Sequence, residues 1–227
     1  MTLNKLAESI ECGDLLSVAL VLERIPDINQ EYVELDGVTP LVYAVVVNQL
    51  GVATLILERG AQVNVADLNG RTAMFYVQST RMIELLMGHG ASISTLDIHG
   101  MTPLHILVRD HKYDEIEYLI AMGADIDAKA KNGMAPIEFA FGSDMCFRLL
   151  AERGADLKIV NYLGWTLLHT AAHKGTYNML SLLIDQGADA FVIDHNGNTA
   201  LDLAIQEENT FCIDLLKSAM QKKGWQK

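Results

Sequence analysis

Apolar positions along this chain come in pairs of short runs, and the pairing repeats. Six times the chain passes from a glycine-bearing turn into two short apolar segments. The turn glycines are Gly37, Gly70, Gly100, Gly133, Gly164 and Gly197, spaced by 33, 30, 33, 31 and 33 residues. A second series keeps the same steps: Gly60-Ala61, Gly90-Ala91, Gly123-Ala124, Gly154-Ala155 and Gly187-Ala188. A period near 33 predicts a stack of like units. Function is then expected on a surface shared by neighbouring repeats rather than in the pocket of one globular domain.

The stretch Asp97-Ile98-His99-Gly100-Met101-Thr102-Pro103-Leu104-His105 shows how one unit is built. Gly100 suits a turn position with positive φ. Thr102 can cap a helix through its hydroxyl, and Pro103 fits the first helical position, where a missing N–H costs nothing. The pattern predicts a short helix from Leu104 to about Arg109. A second helix carries Ile116, Leu119 and Ile120 at helical spacing and ends at a left-handed Gly123.

This unit resembles the ankyrin repeat. Thr39-Pro40-Leu41, Thr102-Pro103-Leu104-His105 and Thr166-Leu167-Leu168-His169 match that family's Thr-Pro-Leu-His signature. Gly60-Ala61-Gln62-Val63-Asn64 matches its Gly-Ala-Asp-Val-Asn segment, as does the stretch ending at Asp127 with one change. Cys12 to Leu22 aligns with a second helix and its entry. The resemblance implies an all-α solenoid: stacked helix pairs, each with a β-hairpin finger. It implies one domain over 1–227, with units starting near residues 1, 36, 69, 99, 132, 163 and 196 and caps at both ends.

Two units are short. The third runs 18 residues from Thr72 to Gly90 and the fifth 19 from Ala135 to Gly154, against 21 from Thr102 to Gly123. The loss falls at the link between helices, at Val77 to Arg81 and Gly142 to Met145. Ala135 replaces the capping Thr, with an expected cost of about 1 kcal/mol. Lys217, Lys222 and Lys223 favour a helix C-terminus in the last unit.

Composition narrows the function. Half of the residues are hydrophobic, enough for a continuous core, and there are 4 prolines. No run approaches the roughly 18 apolar residues of a membrane span, and residues 1–10 lack a secretory-signal layout. Cys12, Cys146 and Cys212 read as buried thiols of a reducing compartment, so a cytoplasmic location is expected, or a host cytosol for a secreted effector. The net charge of −12 argues against nucleic-acid binding, which needs a basic track.

In ankyrin-like proteins the concave face is built from finger tips and first helices. By alignment the tips are Leu35, Asp36 and Val38; Leu68, Asn69 and Arg71; Ile98, His99 and Met101; Lys131, Asn132 and Met134; Tyr162, Leu163 and Trp165; and His195, Asn196 and Asn198. First-helix positions include Val46, Val47, Arg109, Asp110, His173, Lys174, Gln206 and Glu207. Four of these are basic (Arg71, Lys131, Arg109, Lys174) and three acidic (Asp36, Asp110, Glu207), so the face is close to neutral.

Tyr162-Leu163-Gly164-Trp165 stands out, because repeat tips usually carry polar residues. Tyr and Trp are the side chains most enriched at binding hot spots. The competing expectation is that Trp165 folds back on the neighbouring finger. Ile98, Met101 and Met134 extend the apolar character, which suggests a protein partner. The partner-binding candidates are therefore Tyr162, Leu163, Trp165, Ile98, His99, Met101, Lys131, Asn132, Met134, Leu68, Arg71, Arg109, Asp110, His173, Lys174 and His195.

Catalytic signals are missing. His169 and His173 lie four apart on one helix, but His169 occupies the signature position, where the imidazole bonds hairpin backbone; His105 is the same. No Cys-x-x-Cys pair, Gly-x-Ser-x-Gly elbow or phosphate loop occurs. The expectation is a non-catalytic protein-binding module without cofactor or metal, without nucleic-acid or membrane partners, and monomeric when free. An adaptor, inhibitor, assembly factor or bacterial effector or immunity protein all fit. The alternative is an enzyme or small-molecule-binding protein with a site in the concave groove.

Overall fold

The computed structural model describes residues 2–30 and 38–222. Leu35, Asp36 and Gly37 of the second repeat's finger, and Lys223, lie outside these residues. The described residues hold twelve α-helices and two short 3-10 turns, with no sheet. They form seven helix pairs. In chain order these are α1 (Thr2–Glu11) with α2 (Leu15–Leu22), α3 (Pro40–Val46) with α4 (Leu50–Glu58), and the 3-10 turn Ala73–Tyr76 with α5 (Thr80–Gly88). Then come α6 (Pro103–Arg109) with α7 (Tyr113–Ala121), and the 3-10 turn Pro136–Phe139 with α8 (Asp144–Glu152). The last two pairs are α9 (Leu167–Lys174) with α10 (Tyr177–Asp185), and α11 (Ala200–Gln206) with α12 (Thr210–Lys222).

Two compact units result, Met1–Asp125 and Ile126–Lys227. In the first, α1, α3, the 3-10 turn and α6 stack in one row, and α2, α4, α5 and α7 in a second. In the other, α9 packs on α11, and α8, α10 and α12 form the outer row. Each unit buries its apolar face between its own rows: Leu104, Leu107, Ile116 and Leu119 in the first, and Phe147, Leu168, Leu180 and Leu183 in the other. Burying a leucine-sized side chain contributes about 1.5–3 kcal/mol, so these rows carry most of the stability.

The helix entries follow the sequence closely. The Thr39, Thr166 and Thr199 hydroxyls accept the N–H of Val42, His169 and Asp202. Gly123 follows α7 with φ +89°. At the short units, however, it is the first helix that gives way rather than the link alone. Eight residues separate Thr72 from Thr80, against eleven from Thr102 to Tyr113, and the helix shrinks to one 3-10 turn. The missing cap at Ala135 is replaced from inside the turn: Glu138 accepts the Ala135 N–H at 2.8 Å. Its burial pushes the Glu138 carboxyl above its ordinary value.

Cys12 departs from expectation. It is exposed in the turn after α1, whereas Cys146 and Cys212 are buried. Burial pushes the Cys146 thiol up to about 11.

Candidate functional site

Each of the five described fingers is a five-residue loop closed by its own backbone. Asp67, Asp97, Ala130, Asn161 and Asp194 donate their N–H to the carbonyl four residues on, at 2.9–3.0 Å. Four of these five also brace the loop with a side-chain oxygen. Asp97 Oδ1 accepts from the N–H of His99 and Met101, and Asn161 Oδ1 from Leu163 and Trp165. Asp67 and Asp194 do the same for their own fingers. Ala130 cannot, and there Asn132 Oδ1 accepts from Met134. Hairpin character shows as isolated bridges, among them Val160 with Thr166 and Ile193 with Thr199. The signal for these braces was present in the chain as Asp or Asn three residues before a turn glycine, and sequence reasoning passed over it.

The third and sixth fingers are also tied to their successors. Ile98 N–H donates to Asn69 carbonyl at 2.9 Å, and His195 N–H to Leu163 carbonyl at 3.1 Å. In both, the residue after the turn glycine reaches forward to the next brace. Arg71 Nε and Nη2 donate to Asp97 Oδ2 at 3.1 and 3.0 Å. Trp165 Nε1 donates to Asp194 Oδ2 at 3.0 Å, and its ring packs against His173 with centroids 5.1 Å apart. Burial alone would raise the Asp97 and Asp194 carboxyls. Donated hydrogen bonds outweigh it at both, with Arg71 contributing at Asp97, and hold them below the usual range.

The expected site residues divide accordingly. In the first unit Leu68, Ile98 and His99 are exposed, Met101 and Arg71 are half-buried, and Arg109 pairs with its neighbour Asp110 at 2.9 Å. In the other, Lys131, Asn132, Lys174 and His195 are exposed and Met134 is half-buried. Tyr162 is 66% exposed and Leu163 39%. Trp165 is half-buried and folded back on the next finger, so the outward apolar tip consists of Tyr162 and Leu163. His173 Nδ1 lies 3.2 Å from Glu207 Oε1.

His169 binds backbone as the signature predicts. Its Nδ1 accepts the Thr166 N–H at 3.2 Å and its Nε2 meets the Asn198 carbonyl at 3.1 Å. Burial holds this imidazole below its ordinary value. Among the described residues no group of three His, Cys, Asp or Glu is placed to hold a metal. No helix there is long and apolar enough to cross a membrane. One groove escaped the sequence reading: a cavity of about 510 Å³ beneath the sixth finger, floored by Leu168 and Leu183 and edged by Val160, Lys158 and Asp189.

A family model described as ankyrin repeats (3 copies) matches residues 64–130 and 137–224, and one described as ankyrin repeat matches 36–68. The human transient receptor potential cation channel subfamily A member 1 is 31% identical over 196 residues, covering 77% of this chain and 16% of that protein. The nuclear factor NF-kappa-B p105 subunit of Gallus gallus is 30% identical over 164 residues, covering 68% and 17%. The chain thus spans about a sixth of the length of these two relatives. Among solved structures, the human ASB11 ankyrin repeat domain superposes with a TM-score of 0.79 at 27% identity, covering 93% of this chain and 96% of that one. The ankyrin repeat domain of Bcl-3, a member of the IkappaB protein family, gives 0.78 at 26%, covering 94% and 97%.

Proposed function

The chain belongs to the ankyrin-repeat family, and on that premise we propose that it is a non-catalytic module that binds a protein partner on its finger and first-helix face. The observation that carries this reading is the sixth finger tip. Tyr162 and Leu163 stand exposed on a loop fixed by Asn161 from within and by Asp194 and His195 from the next finger. An apolar tip on a rigid support loses little entropy on binding, which is what a hot spot requires. The role is that of an adaptor, inhibitor, assembly factor or bacterial effector or immunity protein, acting in the cytosol as a monomer when free.

The test is affinity capture followed by measured affinity for the captured partner. Replacing Tyr162 and Leu163 together with Ala weakens binding at least about tenfold, while stability changes by less than about 0.5 kcal/mol. Unchanged affinity refutes the assignment of this face.

The groove beneath the sixth finger favours a second reading, a small apolar ligand. Its volume of about 510 Å³ falls within the usual range of ligand sites. A thermal-shift screen against metabolites separates the two.

A further inference from the structure

The shortened third repeat leaves a notch in the first-helix row of the first unit. Where its neighbours have a full helix, this repeat has one 3-10 turn and then the extended Val77. The resulting cavity of about 110 Å³ is lined by Arg71, Tyr76, Gln78, Arg109, Asp110 and Lys112, among others. At about 30 Å³ per water-sized group, it admits a carboxyl group and one or two methylenes.

Charge is distributed unevenly around it. Residues 1–125 contain 17 carboxylate and 7 basic side chains. Three of those seven, Arg71, Arg109 and Lys112, line this one notch. Two of the three are paired with a carboxylate, and Lys112 is the cation left over. Asp97, which takes Arg71, is fully buried and committed. Arg109 meets only the exposed Asp110. Lys112 Nζ donates to the neutral Gln78 Oε1 at 2.7 Å, and among the described residues it has no carboxylate partner. Asp67 accepts the hydroxyl of Tyr76, a residue of the notch wall. A strongly acidic unit therefore presents, on its own finger and first-helix side, a small recess with one unpaired cation.

We propose that this notch receives a carboxylate side chain, Asp or Glu, of the protein partner. The inference rests on the protein-binding reading of the same face and names the chemistry the partner must bring there. Arg109 and Lys112 supply charge-assisted donors, and the surrounding acidity repels acidic segments from the rest of the unit. The recess thus fixes register as well as adding affinity.

The probe is N-acetyl-glutamate α-amide, titrated into the ¹⁵N-labelled full chain beside N-acetyl-glutamine α-amide. Saturable shifts are expected at Arg71, Arg109 and Lys112 with the acid, in the range of about 1–10 mM, and none with the amide. Lys112→Ala and Arg109→Gln each weaken binding at least about fivefold, and Lys112→Arg retains it. Equal shifts with the glutamine compound, or shifts spread evenly over Arg24, Arg59 and Arg81, overturn the proposal. So does saturation by inorganic phosphate but not by the glutamate compound, which makes the notch a site for free anions. The probe carries no apolar anchor, so its failure leaves the test at Tyr162 and Leu163 unaffected.

Discussion

Trp165 Nε1 donates to Asp194 Oδ2 across 3.0 Å, joining the sixth finger to the seventh. Arg71 and Asp97 make the same connection between the third and fourth. Two unlike side chains, both one residue past a turn glycine, serve one mechanical purpose: each is a long donor that spans to the brace of the next finger.

Trp165→Phe keeps the ring against His173 and removes only the N–H. Hydrogen bonds to charged groups contribute about 1.5–3 kcal/mol, and partial exposure places this one at the low end. Chemical denaturation should show a loss of about 1.5 kcal/mol. A change below about 0.3 kcal/mol would mean that Asp194 finds water as readily as indole.

Gly164 has φ +78°, and an added Cβ would sit 2.9 Å from the His195 backbone nitrogen. Gly197 has φ +83° with nothing within 4 Å. Gly197→Ala should therefore cost only the conformational strain, about 1 kcal/mol. Gly164→Ala should cost distinctly more, because it also parts the two fingers. Equal melting temperatures for the two variants would show that the contact between fingers yields freely.

His169 is held neutral, with its folded value below the ordinary 6.5, chiefly by burial. The unfolded chain then binds the proton more tightly. The stability from this site is complete above pH 6.5 and is lost as pH falls through that value toward the lower folded one. His169→Gln should be less stable at pH 8 and lose less between pH 7 and 5 than the parent. Parallel pH profiles for parent and variant would remove His169 as the source.

Removal of residues 196–227 strips α11 from α9 and α12 from α10. It also takes away the Asn198 carbonyl that His169 bonds. Since repeat arrays draw stability from neighbour interfaces, the remaining chain should aggregate or lose most of its stability. A soluble 1–195 fragment with an unchanged melting temperature would contradict the packing of the last two repeats.

The chain's own order determined the repeats. Local rules suffice for a Thr at a helix entry, a Pro after it and a Gly at a left-handed turn, because each acts within four residues. The signature role of His169 was legible for the same reason, since half of its bonding is to Thr166, three residues away. The direction of Trp165 was not: its partner lies 29 residues on, in another finger, and period alone does not say whether an indole faces water or a carboxylate. Nor did the count of missing residues at 77–81 reveal that the first helix would shrink to one turn and open a cationic notch, because that depends on what α6 and α7 leave uncovered. Cys12, read as buried from its apolar surroundings, is exposed because it falls in the turn between α1 and α2, outside the helical rows that cover Cys146 and Cys212. Local propensity built the repeats; packing between neighbouring repeats decided which side chains stay exposed.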